Sequence, residues 1–178
     1  MKRLLTFLFL SALILLPVSQ VNAQTELQEA LITERCSLIK QTLDKQRRRD
    51  LVSRINRGRE YQNLIDQQQA LTDRIRNNGM DHVAFEQKLA DLKNAFDAFR
   101  NSYTLYDDAF SDLLKVDCKK DSSDFLTQLI NVRLLRQEVG TKTVQIADIL
   151  RVQRELIVNL RIELERIEDS VVGGRSGN

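Results

Sequence analysis

The chain has 178 residues, with 27 Lys and Arg against 25 Asp and Glu, one histidine, two cysteines and one proline. A formal charge of +2 gives no general electrostatic case for holding nucleic acid or an anionic membrane. One histidine and two cysteines do not make a His/Cys metal cluster, and HExxH, CxxC, GxGxxG and phosphate-loop motifs are absent from the sequence, so no catalytic residue, cofactor or metal ligand is expected.

Lys2 and Arg3 precede an apolar run from Leu4 to Leu16, followed by Pro17 and Val21-Asn22-Ala23. A charged start, a short apolar stretch and a small-residue exit form the pattern of a secretory signal peptide over residues 1–23, cut after Ala23. An uncleaved anchor is the competing reading, but the run is shorter than the roughly 18 to 20 apolar residues a spanning helix needs. Cleavage removes Lys2 and Arg3, leaving 25 basic residues against 25 acidic ones. The expectation is an exported protein, periplasmic, cell-surface or secreted, without stable membrane insertion after cleavage. Since Pro17 is the only proline, the helical domain expected over residues 24–172 has none, as long helices require.

Helix one is expected over about residues 25–77. Ile32, Cys36, Ile39 and Leu43 keep 4, 3, 4 spacing, and Tyr61, Leu64, Gln68, Leu71 and Ile75 resume a helical repeat. Between them only Leu51, Val52 and Ile55 are available for a core. Residues 44–60 carry Lys45, Arg47, Arg48, Arg49, Arg54, Arg57 and Arg59 against Asp44, Asp50 and Glu60, a local charge of +4. Arg47, Arg48, Arg49, Arg54 and Arg57 form a candidate surface for an acidic partner. The helix ends at Arg74-Ile75-Arg76, with basic residues favourable at a C-terminus, and Gly79 can take the left-handed terminating conformation.

Helix two is expected over 82–116, capped by Asp81. Phe85, Leu89, Leu92, Phe96, Phe99, Tyr103, Tyr106, Phe110 and Leu113 alternate steps of four and three without a miss, the seam of a coiled coil. Six of the nine are aromatic, a width that suits a seam facing two helices. Helix three is expected over 122–170, started by Asp121, Ser122, Ser123 and Asp124. Its repeat is clearest at Ile146, Leu150, Gln153, Ile157, Leu160, Leu164, Ile167 and Val171, and Gly140 is its weak point. A disordered tail is expected over 173–178.

Cys36 and Cys118 lie 43 residues before and 39 residues after Gly79. An antiparallel hairpin turning there brings the two thiols together, and an internal disulfide is favoured over an intermolecular bridge or two free thiols. Closing the loop stabilises by roughly 4 kcal/mol on chain entropy alone. In this register partners sum to about 154: Arg47 faces Asp107, Arg48 faces Tyr106, and Leu51 and Ile55 face Tyr103 and Phe99. Intramolecular pairing then accounts for most of the basic run.

Arg35-Cys36 followed by Ile39, Gly79-Met80-Asp81 at the tip, the aromatic heptads and Cys118 make residues 34–118 resemble an uncharacterised family of exported helical proteins from candidate phyla radiation bacteria. The resemblance implies an exported helical bundle and supplies no activity.

The sequence therefore points to an all-α, elongated antiparallel three-helix bundle with a disulfide-clasped hairpin. The expected role is a non-catalytic structural or protein-interaction coiled coil of the cell envelope or extracellular space, with a protein partner or self-association and no nucleic acid. The alternative is a periplasmic holding chaperone that clamps unfolded clients with helical hairpins; a ligand-sensing bundle is a third reading. Helix three should overshoot the tip, leaving Leu164, Ile167 and Val171 for association, with Leu27, Leu31 and Ile32 at the other end.

Overall fold

A computed structural model describes the backbone of residues 18–175 and the side chains of residues 25–170. Lys2, Arg3, the apolar run to Leu16 and Pro17 lie outside the described residues, as do Ser176, Gly177 and Asn178. Three helices follow one another, α1 (Val18–Asn77), α2 (Val83–Lys115) and α3 (Ser122–Arg175). They pack as a bundle in which α2 meets α3 more extensively than it meets α1. Two boundaries differ from expectation: α1 begins at Val18, inside the stretch assigned to the signal, and α3 continues to Arg175, three residues into the expected tail.

The α1–α2 turn is built by glycine. Gly79 has φ 69°, its N–H donates to Arg76 O at 2.9 Å, and the N–H of Met80 donates to Ile75 O at 3.1 Å. That bond pair is a Schellman motif, which satisfies the last carbonyls of α1 and needs a residue free to take positive φ. Asp81 Oδ1 then accepts the N–H of Val83 at 3.1 Å, starting α2. At the other end Asp117 carries a tight turn, accepting the N–H groups of Lys120 and Asp121 on its carbonyl. Asp121 Oδ1 accepts the N–H of Asp124 at 3.0 Å and caps α3.

Cys118 sits in that second turn and is bonded to Cys36, with Cα atoms 5.6 Å apart. Both cysteines are buried. Arg35, the residue before the bridge, leaves helical geometry at φ −104° and ψ 17°, so α1 is kinked at the clasp. Among the described residues no helix is long and apolar enough to cross a membrane.

All nine expected seam residues of α2 are buried. All but Phe85 divide between two apolar clusters. Around the clasp, Ile32, Cys36, Tyr103, Tyr106, Phe110, Leu113 and Cys118 pack with Phe125, Leu126, Leu129 and Val132 of α3. Nearer the tip, Tyr61 and Ile65 of α1 and Leu89, Leu92, Ala95, Phe96 and Phe99 of α2 pack on Ile146 of α3. Tyr61 meets Phe96 and Phe99 edge-on, at ring-centroid distances of 6.0 and 5.5 Å, a favoured aromatic arrangement.

Several expected core positions are displaced. Leu51, Val52 and Ile55 are 40%, 58% and 44% exposed and belong to neither apolar cluster. Toward the tip Ile65 and Thr72 are buried, while Leu64 and Leu71 are only partly covered. In α3 the seam is sealed through Ile146 and Gln153, and then Ile157, Leu164 and Ile167 stand exposed. Every residue from 161 to 170 is exposed, as expected of a helix that outruns its neighbours.

Candidate functional site

Helix phase explains why α1 turns charge inward between the two clusters. Leu43 and Tyr61 are eighteen residues apart, five whole turns at 3.6 residues per turn, so both face α2. Stepping by 3.6 from Leu43 lands on Arg47, Asp50, Arg54 and Arg57. Val52 falls on the opposite side and Leu51 and Ile55 roughly a quarter to a third of a turn away. A rigid helix anchored at both ends cannot rotate its middle to bury them.

The polar side chains so placed find partners. Arg47 donates from Nε and Nη2 to Asp107 Oδ1 and Oδ2 at 3.0 and 3.2 Å, the pairing expected from the disulfide register. Asp50 is the centre of the waist: Arg136 of α3 donates to it from Nε and Nη2 at 3.0 and 3.2 Å, and the Tyr106 hydroxyl donates to Oδ2 at 2.6 Å. Burial alone would raise the Asp50 carboxyl, but these bonds outweigh it and hold it below the usual aspartate range. The same contacts tie all three helices together at one level.

Beside this network lies a cavity of about 270 Å³, with Asp50, Ser53, Arg54 and Arg57 of α1 along one side. Phe99, Tyr103 and Tyr106 of α2 form an aromatic wall, and Arg136, Val139, Gly140 and Thr143 of α3 close the third side. Arg54 lies over the Tyr103 ring, its guanidinium carbon 4.9 Å from the centroid. Tyr103 is 3% exposed, and its hydroxyl is buried without a hydrogen-bond partner. Burial, reinforced by the Asp107 and Asp50 carboxylates, pushes that phenol up to about 12. Tyr106 is raised further, by burial and by its bond to Asp50.

The five arginines of the candidate partner surface thus separate. Arg47 is held by Asp107, and Arg48, expected to face Tyr106, pairs with Asp44 on its own helix. Arg49 is exposed beside a groove shared with Lys45 and Arg136. Arg54 and Arg57 line the cavity and, among the described residues, have no acidic partner. Asp50, Tyr103, Tyr106 and Arg136 join them although only Tyr103 and Tyr106 were singled out, as core. The phase of α1 between Leu43 and Tyr61 is the signal that finds Asp50. Arg136 lies seven residues after Leu129 and four after Val132, in line with the α3 seam, where a charge has no apolar periodicity to mark it.

A second buried polar residue lies nearer the tip. Gln153 is 1% exposed, and neither its amide nitrogen nor its oxygen has a partner. Among the described residues no group of three or more His, Cys, Asp and Glu side chains is placed to hold a metal ion. The chain matches no protein-family model, no curated protein and no solved structure.

Proposed function

We propose that this is an exported, non-catalytic coiled-coil protein whose α3 end associates with a helix of a partner or of a second copy. One observation carries the reading: the α3 seam continues past the bundle at Ile157, Leu160, Leu164 and Ile167 in heptad spacing, with Ile157, Leu164 and Ile167 left exposed. A sustained apolar stripe on an uncovered helix is the half of an interface that a second helix completes. The buried Cys36–Cys118 disulfide supports export, since such bonds persist in oxidising compartments.

Light scattering during size-exclusion chromatography tests this. Association of the disulfide-bonded protein should be lost in a Leu164→Glu, Ile167→Glu variant whose helical content and bridge are unchanged. A protein that is monomeric at all concentrations and captures no helical partner through this end overturns the reading.

The exposed Leu51, Val52 and Ile55 face favours the holding chaperone as a second reading. It calls for suppression of client aggregation that Val52→Ser with Ile55→Ser abolishes. No suppression at equimolar protein removes it.

A further inference from the structure

We propose that the waist cavity is a binding site for a small organic anion with a flat apolar body, an aromatic carboxylate being the simplest member of the class. The charge inventory points to an anion. Of the groups lining the cavity, Asp50 and Arg136 neutralise each other, and outside it Arg47 is spent on Asp107. Arg54 and Arg57 remain, two guanidinium groups on adjacent turns of one helix and on the same face, with no carboxylate paired to them among the described residues. Guanidinium forks bind carboxylates through paired N–H groups.

A second observation is independent of charge. The Tyr103 hydroxyl is buried without a partner, although phenol hydroxyls in protein interiors are normally bonded and an orphan is costly. Tyr103 forms part of the wall of a cavity already lined by cations, and an anionic oxygen that reached its hydroxyl would satisfy both needs.

The body of the ligand follows from the walls. Phe99, Tyr103 and Val139 present ring and aliphatic surface, and a Cβ added at Gly140 would meet nothing within 4 Å, so open space lies over α3 at that point. At about 270 Å³ the space falls just below the range of drug-sized pockets, which fits one or two rings and no more.

This site is separate from the α3 end assigned to association, and the two stand or fall independently. The test uses the disulfide-bonded protein purified from an exporting host, with 1-naphthoate as the probe and 1-naphthylmethanol and inorganic phosphate as controls, followed by amide chemical shifts. Naphthoate should shift the Gly140 and Thr143 amides with a Kd of about 0.1–1 mM, and the neutral alcohol and phosphate should each bind at least about tenfold more weakly. Gly140→Leu fills the space with a better helix former and should abolish the shifts. Arg54→Gln with Arg57→Gln should weaken binding by about tenfold or more. If the loss of the Arg54 stack unfolds that variant, Arg57→Gln alone should still weaken binding and steepen no salt dependence. The proposal is overturned by no shift at about 10 mM naphthoate, by equal binding of the alcohol or of phosphate, by binding that survives Gly140→Leu, or by shifts centred on Ile157–Ile167.

Discussion

Nine side chains of α2, from Phe85 to Leu113, are buried in unbroken heptad order, whereas the stretch of α1 beside their middle hides charge and exposes Leu51, Val52 and Ile55. Both segments lie in the same bundle and face each other. What separates them is phase: on α2 the apolar residues coincide with the face that packing selects, and on α1 they miss it by a quarter to half a turn. Burial here follows from where the rigid ends of a helix point its middle, and the hydrophobicity of an individual residue has little say. The consequence is a polar waist between two apolar clusters, occupied by whichever groups can satisfy one another.

Truncation is the bluntest way to break the comparison. Phe110→Ala, in the α2 stripe, should cost about 3–5 kcal/mol of unfolding free energy in urea, far more than any truncation in the middle of α1. Removing the clasp by Cys36→Ala with Cys118→Ala should cost about 4 kcal/mol by the same measurement, because the loop it closes spans 82 residues. A cost below about 1 kcal/mol would mean that the hairpin register is fixed by packing alone.

The waist itself is probed by Asp50→Asn, expected to cost about 1–3 kcal/mol at neutral pH by removing the charged acceptor of Arg136 and Tyr106. Its pH dependence has a definite sign. The folded Asp50 carboxyl lies below its ordinary value, so its contribution is full above about pH 5 and is lost as the pH falls through the folded value. Tyr103 and Tyr106 are raised when folded, so their contribution is full below about pH 9 and is lost as the pH rises from the ordinary phenol value toward 12. Unfolding free energies measured from pH 2 to 11 should therefore sag at both ends, and Asp50→Asn should flatten the acid side and soften the alkaline side, where burial alone still keeps both phenols raised.

Gln153→Met should raise stability by about 1–2 kcal/mol, since two unpartnered amide atoms are replaced by an apolar chain of similar volume. The smallest effect is expected where α1 wastes its apolar residues: Leu51→Ser should fall within about 0.5 kcal/mol of the parent. A loss near that of Phe110→Ala would show that α1 can rotate, and the phase argument would fail.

Much of the fold is legible from residue order. The heptads of α2, the Gly79 turn, the Asp121 cap and the pairing of Cys36 with Cys118 each rest on a local or strictly periodic signal. The same register places Arg47 against Asp107. The disulfide register sets Leu51 and Ile55 opposite Tyr103 and Phe99 by residue count alone, whereas five turns of rigid helix between Leu43 and Tyr61 decide the face. The exchange of Leu64 for Ile65 and Leu71 for Thr72 has a similar origin, since adjacent residues about 1.5 Å apart along the axis compete for one stripe. Arg136 was invisible for another reason: its partner Asp50 is 86 residues away, and no spacing rule links them.

The clasp also determines how the molecule would carry a mechanical load. Cys118 lies three residues before the cap of α3, so the disulfide joins the first part of α1 almost directly to α3. Tension entering near Thr25 and leaving near Ser170 passes through the sulfur bridge and bypasses the chain between the cysteines. The α1–α2 hairpin then hangs as a side arm outside the path of force, and roughly 280 Å of contour stays folded away until the bridge is reduced. Reduction would convert a short strut into a long tether without cutting a peptide bond.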